Sequence, residues 1–404
     1  MREPALRAVG DVVAELGTPA GQADPYPRYE ELRAHGPAVT RSDGTLFVTG
    51  YDACLAILRD QRLRKRPELR LIAGGYPRWR ERPALRLMFT SMLTANPPEH
   101  GRLRRAVTAA FTHRRVAELR PAIERIVADL CEQVAGESDF VATFAFPLPV
   151  NVIGELLGVP AADRPMFQAL VRDWTAVFES LATVDLDRAD AAAVTIADYL
   201  TALAAERRAA PAGDLISALV GPAAGPDRLE LAEVATMAAL LLAAGFETTT
   251  LLLANAVVAL LDHPDQAARL RTEPALARPA VDELLRYDPP VQMLSSRTAP
   301  ADLRVGGLDL HADQLVVTLL GAANRDPAAF TDPAVLRLDR AEHPPLSFGG
   351  GIHRCLGAAL ARLDAEIALP ALLTRYPRLA LAGTPTPRAG LALHGYATLP
   401  LTTR

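Results

Sequence analysis

The sequence predicts one domain, residues 1–404, mainly α-helical with small β-sheets at its edges. Three features carry that expectation. Apolar residues recur at helical spacing from about Arg102 to Leu285, with arginine and glutamate filling the opposite face. Runs with strand character are short and lie near the two ends of the chain. No repeat of fixed period and no low-complexity linker divides the whole.

Taken in order, TLFVTG (Thr45–Gly50) is the first strand. Helical spacing then runs through AVTAAFTHRRVAELRPAIERIVADLCEQV, DRPMFQALVRDWTAVFESL and DRADAAAVTIADYLTALAAERR. Proline and glycine mark the joins at Pro160, Pro211 and Gly221–Pro222. Met237 to Leu261 is apolar enough to suggest a membrane span, but Glu247 and three threonines sit at its centre. A carboxylate at mid-membrane is expensive, so a buried helix from Leu229 to Leu261, about 50 Å long, is expected instead. LRVGGLDL (Leu303–Leu310), QLVVTLLG (Gln314–Gly321) and the tail after Leu391 supply the remaining strands.

Half the residues are hydrophobic, so a large core is within reach, and the net charge of −4 argues against a nucleic-acid binder. Lys65 is the only lysine; every other fixed cation is arginine. Cys54, Cys131 and Cys355 are too few for a disulfide framework and contain no CxxC pair, which fits a reducing cytoplasm. The opening MREPALRAVGDVVAEL spreads its charges and has no apolar block, so neither a signal peptide nor a membrane anchor is expected there.

The chemistry concentrates at FGGGIHRCLG, Phe348–Gly357. Glycines crowd the approach to one cysteine, and an alanine-rich helical pattern follows at once. A loop entering a helix at Cys355 aims free N–H groups and the positive helix end at its sulfur, which favours thiolate over thiol. Glycine also lets a flat ligand approach the backbone closely. A phosphate loop fits poorly, because no GK[ST] follows. A buried structural cysteine is the plain alternative.

The segment resembles the haem-binding signature of cytochromes P450, FGxGxHxCxG, at every specified position. Three further stretches match that family in its order: NPPEHGRLR (Asn96–Arg104), AGFETT (Ala244–Thr249) and ELLR (Glu283–Arg286). The resemblance runs from about Pro25 to the C-terminus. It implies the cytochrome P450 fold, a long central helix over a haem, with heme b as the cofactor. Cys355 is then the iron ligand, with Phe348, Gly349 and Gly357 shaping the loop around it. His100, Arg104, Arg297 and His353 are implied as partners of the haem propionates, and Ala244 as part of the haem wall. Thr248 is implied to hydrogen-bond iron-bound oxygen, while Glu247 relays protons from outside. The competing reading has Thr248 bonding back to its own helix and Glu247 in a buried ion pair. Glu283 and Arg286 read as a structural pair behind the haem. The family's usual third partner, an arginine, is replaced by Val335 in DPAVLRLDR, leaving Arg337 or Arg340 to substitute; Pro345 stands where a histidine is common.

The resemblance implies a monooxygenase that inserts one atom of O2 into a hydrophobic small molecule, with a ferredoxin and its reductase as electron donors. Arg114, Arg115 and Arg354 are candidate docking residues for the ferredoxin. The family's variable contact regions fall on Leu87, Met88, Phe89, Trp174, Phe178, Leu241, Met293 and Leu294, an apolar set suited to a polyketide or terpenoid. Two rival functions fit the residues less well. A peroxide-driven peroxygenase would tend to replace the acid–alcohol pair, which is intact. A non-enzymatic haem protein would be expected to offer a second axial ligand, and no histidine or methionine lies near Thr248.

Overall fold

The computed structural model describes residues 7–178, 184–221 and 227–404. The helices around the cavity and in the layer packed behind it are α1 (Pro83–Phe89), α2 (Glu99–Ala110), α3 (Pro147–Leu157), α4 (Arg164–Thr175), α5 (Leu186–Ala209), α6 (Leu231–Asp262), α7 (Ala277–Tyr287) and α8 (Ala358–Arg375). The periodic stretch expected near 106–134 is interrupted. Thr112 caps a new helix by accepting from the Arg115 amide at 3.2 Å, and Pro121 starts the next at Arg120. Residues 179–181, the end of another expected helical run, lie outside the described residues.

α6 is the axis of the molecule. It starts at a reciprocal cap between Glu230 and Glu233 and ends where His263 precedes Pro264. Its 32 residues span about 48 Å at 1.5 Å each. α3, α4, α5, α7 and α8 pack around it, and 78% of its most apolar window is buried inside the protein. It is thus long and apolar enough to cross a membrane but is enclosed by its own chain. Gly245 permits the tightest approach: a Cβ there would come within 2.8 Å of Ile153 Cδ1 on α3.

Five strands form the main sheet: β1 (Ala38–Thr40), β2 (Leu46–Val48), β3 (Arg64–Lys65), β4 (Met293–Thr298) and β5 (Leu315–Leu319), in the order β1-β2-β5-β4-β3. β2 and β5 are the expected apolar strands, paired in parallel. β3 and β4 are polar and gave no alternating signal; pairing with each other and with β5 makes them strands. LRVGGLDL forms its own hairpin, Leu303–Val305 against Leu308–Leu310. The tail strand Pro400–Thr402 pairs with Glu137–Asp139 and Ala380–Leu381.

Two buried polar clusters lock helices to loops. In the first, Glu283 and Arg286 on α7 form a two-fold pair (2.7 and 2.9 Å) at 1% side-chain exposure each. Arg340, also nearly buried, completes it with two 3.1 Å bonds to Glu283. Arg337 contributes only its backbone N–H to Glu283, its guanidinium turning outward to Glu342. Val335 offers its carbonyl to both Arg286 and Arg340. In the second, Asp288 accepts from Tyr26 Oη at 2.5 Å and from His394 Nε2 at 3.2 Å. His394 Nδ1 faces the Gln22 carbonyl at 3.0 Å. A carbonyl and an ionised carboxylate can only accept, so both ring nitrogens must carry protons, and His394 is an imidazolium.

Two outcomes follow from these clusters. Removing one partner of a buried charge network strands the other, at a cost of about 3–5 kcal/mol. Arg340→Ala should therefore lower the urea-unfolding free energy by about 3 kcal/mol, and Arg337→Ala by less than about 1 kcal/mol; equal losses would assign the third arm wrongly. For His394, burial lowers the imidazole pKa, but the Asp288 charge, its hydrogen bond, the Gln22 carbonyl and Asp24 outweigh that and raise it. Burial likewise works to raise Asp288, and His394, Tyr26 and Arg325 together hold it below the ordinary range. The histidine's share of stability is therefore full below about pH 6.5 and lost as pH rises through its raised value; the aspartate's is lost only in acid, below about pH 4. Wild type should lose its advantage over His394→Gln in urea midpoints as pH rises above about 6.5, and a constant difference would contradict the imidazolium.

Candidate active site

The cysteine loop is held by backbone bonds and glycine. Phe348 carbonyl accepts from the Cys355 amide at 2.9 Å, closing the loop on itself. Gly351 has φ +64°, and a Cβ there would lie 2.3 Å from the Leu58 carbonyl, so no larger residue fits. The cluster around Glu283 reaches this loop directly. Arg286 donates to the Asn324 carbonyl at 2.9 Å, and the Asn324 side chain holds the Leu346 amide and Ser347 Oγ, both at 2.8 Å. Helix α8 begins at Ala358, three residues beyond Cys355.

Cys355 faces a cavity whose empty space, counting its open mouth, is about 1350 Å³. Phe348, Gly349, His353 and Gly357 share its floor with Cys355; Ala244, Gly245, Thr248 and Thr249 from α6 form the opposite wall. The Arg362 guanidinium stacks on the Phe348 ring, 4.4 Å from its centre. Burial pushes the Cys355 thiol up, while the Gly357 amide and the charges of Arg104, Arg354 and Arg362 pull it down. The expected lowering thus does not prevail in the protein alone, although the residue itself is exposed to the cavity. A bound metal reverses that balance, since a coordinating thiol is deprotonated outright.

A positive cradle lies beside the loop. His100 and Arg104, one turn apart on α2, both line the cavity. The His100 and His353 rings lie 4.2 Å apart, and His100 Nε2 is buried without a hydrogen-bond partner. Arg297 on β4 is 6% exposed and donates to the Leu58 carbonyl at 3.2 Å. Burial and the neighbouring cations, Lys65 first among them, push His353 down to about 2. Burial lowers Arg297 as well, only partly offset by Asp60. Such a set is stable only opposite anions.

On α6, Glu247 and Thr248 face different ways. Thr248 Oγ1 donates to the Ala244 carbonyl at 2.7 Å and borders the cavity. Glu247 is 5% exposed and turned from the cavity; Arg388 pairs with it and Thr175 Oγ1 donates to it at 3.4 Å. Arg388, from the C-terminal segment, had no sequence signal. Nor had Asp364, buried on α8 at the cavity base, whose acid burial raises to about 8.

Of the apolar contact candidates, Leu241 and Leu294 line the cavity. Trp174 is fully buried and spends its indole N–H on the Ala84 carbonyl at 3.0 Å, tying α4 to α1. Met88 is fully buried in the helical core, and Leu87, Phe89 and Phe178 pack against that core. Met293 neighbours Leu294 on β4, so alternation turns it to the other side of the sheet, against Val317 and Leu319. The wall is instead filled by Met92, Leu93, Ile153, Leu240, Leu252 and Val291, among others.

Known proteins decide the family. A cytochrome P450 family profile matches residues 88–389. The cytochrome P450 monooxygenase PikC of Streptomyces venezuelae is 40% identical over 90% of this chain and 86% of its own. The polyketide biosynthesis cytochrome P450 PksS of Bacillus subtilis is 36% identical over 88% of each chain. A solved structure, P450BioI in complex with a hexadec-9Z-enoic acid ligated acyl carrier protein, superposes with TM-score 0.87 at 36% identity, covering 95% and 99% of the two chains.

The chain belongs to the cytochrome P450 family. Cytochromes P450 carry haem iron, and the class is that of oxidoreductases that incorporate molecular oxygen. The residues of this P450 fit such a group: a thiol on the cavity floor, and beside it a buried arginine and an orphaned imidazole nitrogen, donors suited to carboxylates. Because the loop is held by backbone bonds rather than by sulfur, Cys355→Ser should keep its far-UV dichroism. It should lose the long-wavelength Soret band of the reduced, carbon-monoxide-bound protein; survival of that band would remove Cys355 as the iron ligand.

Proposed function

We propose that this P450 inserts one atom of O2 into an apolar natural product of polyketide or terpenoid type, by C–H hydroxylation or epoxidation. The observation that carries this reading is the cavity itself, with Cys355 on one side, the Ala244–Thr248 turn opposite, and an aliphatic wall between them. Kinship with a P450 named for polyketide biosynthesis supports the substrate class. Such a wall orients by shape and exclusion of water more than by polar contact.

Heme b, when bound at Cys355, supplies the binding and activation of O2. Cys355 ligates as thiolate, and the Gly357 amide holds that charge at the sulfur. His100, Arg104, Arg297 and His353 take the propionates. Thr248 Oγ1 now spends its proton on the Ala244 carbonyl and keeps lone pairs toward the cavity, where it accepts from and orders a proton-donating water. Glu247 sits on the outer side of the same turn, and its ion pair with the partly exposed Arg388 links it to the surface. Releasing Arg388 frees this carboxylate to take a proton from outside and pass it inward.

No flavin, nicotinamide or iron–sulfur motif occurs in the sequence, so electrons arrive from a ferredoxin and its reductase in the cytoplasm. Exposed Arg354 beside the cysteine, with Arg114 and Arg115, offers an acidic ferredoxin its docking charges.

With a turned-over substrate, Thr248→Ala should consume O2 at a rate near wild type while product formed per O2 falls several-fold. Glu247→Gln should slow turnover by about a hundredfold, as loss of a proton-transfer group does. Unchanged coupling in the first variant and unchanged rate in the second would remove both residues from proton delivery.

A further inference from the structure

The only lysine of the chain stands where a cation is least comfortable. Lys65 lies on the two-residue strand β3, directly opposite Arg297 on β4. Paired residues of an antiparallel ladder send their side chains to the same face, and like charges placed so repel. The register is fixed from the other side: Lys65 N–H donates to Asn96 Oδ1 and Asn96 Nδ2 donates to the Lys65 carbonyl, both at 2.8 Å. Asn96 begins the segment that leads into α2, so one side chain ties β3 to the helix bearing His100 and Arg104.

Among the described residues no carboxylate pairs with Lys65. Burial, and after it the charge of Arg297, pushes its ammonium down to about 7. Lys65 in turn acts on both His100 and His353. Five groups able to carry positive charge thus converge from β3, β4, α2 and the cysteine loop, and among the described residues the one carboxylate acting on them is Asp60, beside Arg297. A lysine tolerates this better than an arginine, because it can release its proton when no anion is present.

We propose that Lys65 is a further arm of this cradle and that its ammonium binds a carboxylate of the bound haem. The assignment rests on the haem reading above and adds a residue that the motif pattern does not contain. The cradle then opposes two carboxylates with three side-chain cations, Lys65, Arg104 and Arg297. The adjacent His100 and His353 rings can stay neutral, each donating one N–H. That arrangement avoids two imidazolium ions 4.2 Å apart.

The test compares haem with its dimethyl ester, whose propionates carry no charge. Both are loaded into wild type, Lys65→Met and Lys65→Arg, and release to excess apomyoglobin is timed. Lys65→Met should release haem about tenfold faster than wild type, release the ester within about twofold of wild type, and be rescued by Lys65→Arg; a tenfold change corresponds to about 1.4 kcal/mol. Equal acceleration of both cofactors would mean that Lys65 only supports β3, and an unchanged haem rate would mean that it touches no carboxylate; either overturns the proposal. A wild type that retains neither cofactor would instead overturn the haem reading itself. Far-UV dichroism of each variant separates these outcomes from misfolding.

Discussion

The structure depends most on one buried carboxylate. Glu283 receives Arg286 along two bonds, Arg340 along two more, and the Arg337 amide besides. A charge this deep is tolerable only when its lone pairs are filled. Here filling them also gathers α7 and the stretch from Asn324 to Arg340 into one unit. That unit ends at the Asn324 side chain, which holds Leu346 and Ser347 immediately before the cysteine loop. The loop has few apolar side chains of its own, so its shape comes from glycine torsions and from this anchoring. Replacement of the usual third arginine by Val335 is accommodated because Arg340 reaches in from five residues further on, while the Val335 carbonyl still accepts from both arginines.

Where the Glu283 cluster is satisfied internally, the cradle at His100, Arg104, Arg297 and His353 is not. Burial pushes its imidazoles and guanidinium groups toward neutrality, and the neighbouring cations push the imidazoles further. Natural sequences break the rules of internal consistency mainly where a ligand restores the balance. One polar cluster is thus closed and the other open, on either side of the same cysteine loop.

The central helix serves two compartments at once. Adjacent residues on a helix point about 100° apart, so Thr248 meets the cavity while Glu247 meets α4 and the C-terminal segment. Gly245 sets the spacing by letting Ile153 of α3 press against the helix at this level. Dry wall, hydroxyl and outer carboxylate are thereby placed within one turn of α6. The Thr248 and Glu247 side chains are engaged locally, by the Ala244 carbonyl and by Arg388.

Much of this was legible in the sequence because the signals are local. The apolar run around Phe246 with one carboxylate announces a buried helix, and the glycines before Cys355 announce a backbone that a flat ligand can approach. Helical spacing near 106–134 is equally clear, although the caps at Thr112 and Pro121 cut it into pieces. The strands β3 and β4 were not legible, since polar residues such as Arg64 and Arg297 acquire strand geometry only from their partners. The cavity wall was half legible: Leu241 and Leu294 lie on it, whereas Trp174, Met88 and Met293 joined the core. Periodicity says that a side chain is buried but not which of two apolar neighbours it meets. Arg340, Arg388 and Lys65 find their roles across 57, 141 and 232 residues of chain, toward Glu283, Glu247 and Arg297 respectively. The sequence by itself singled out the cysteine loop and the helix that crosses the core, because each is written in one continuous stretch of chain. Tertiary structure alone decided which charges are closed off and which stand open, because only folding brings distant cations and carboxylates within reach of one another.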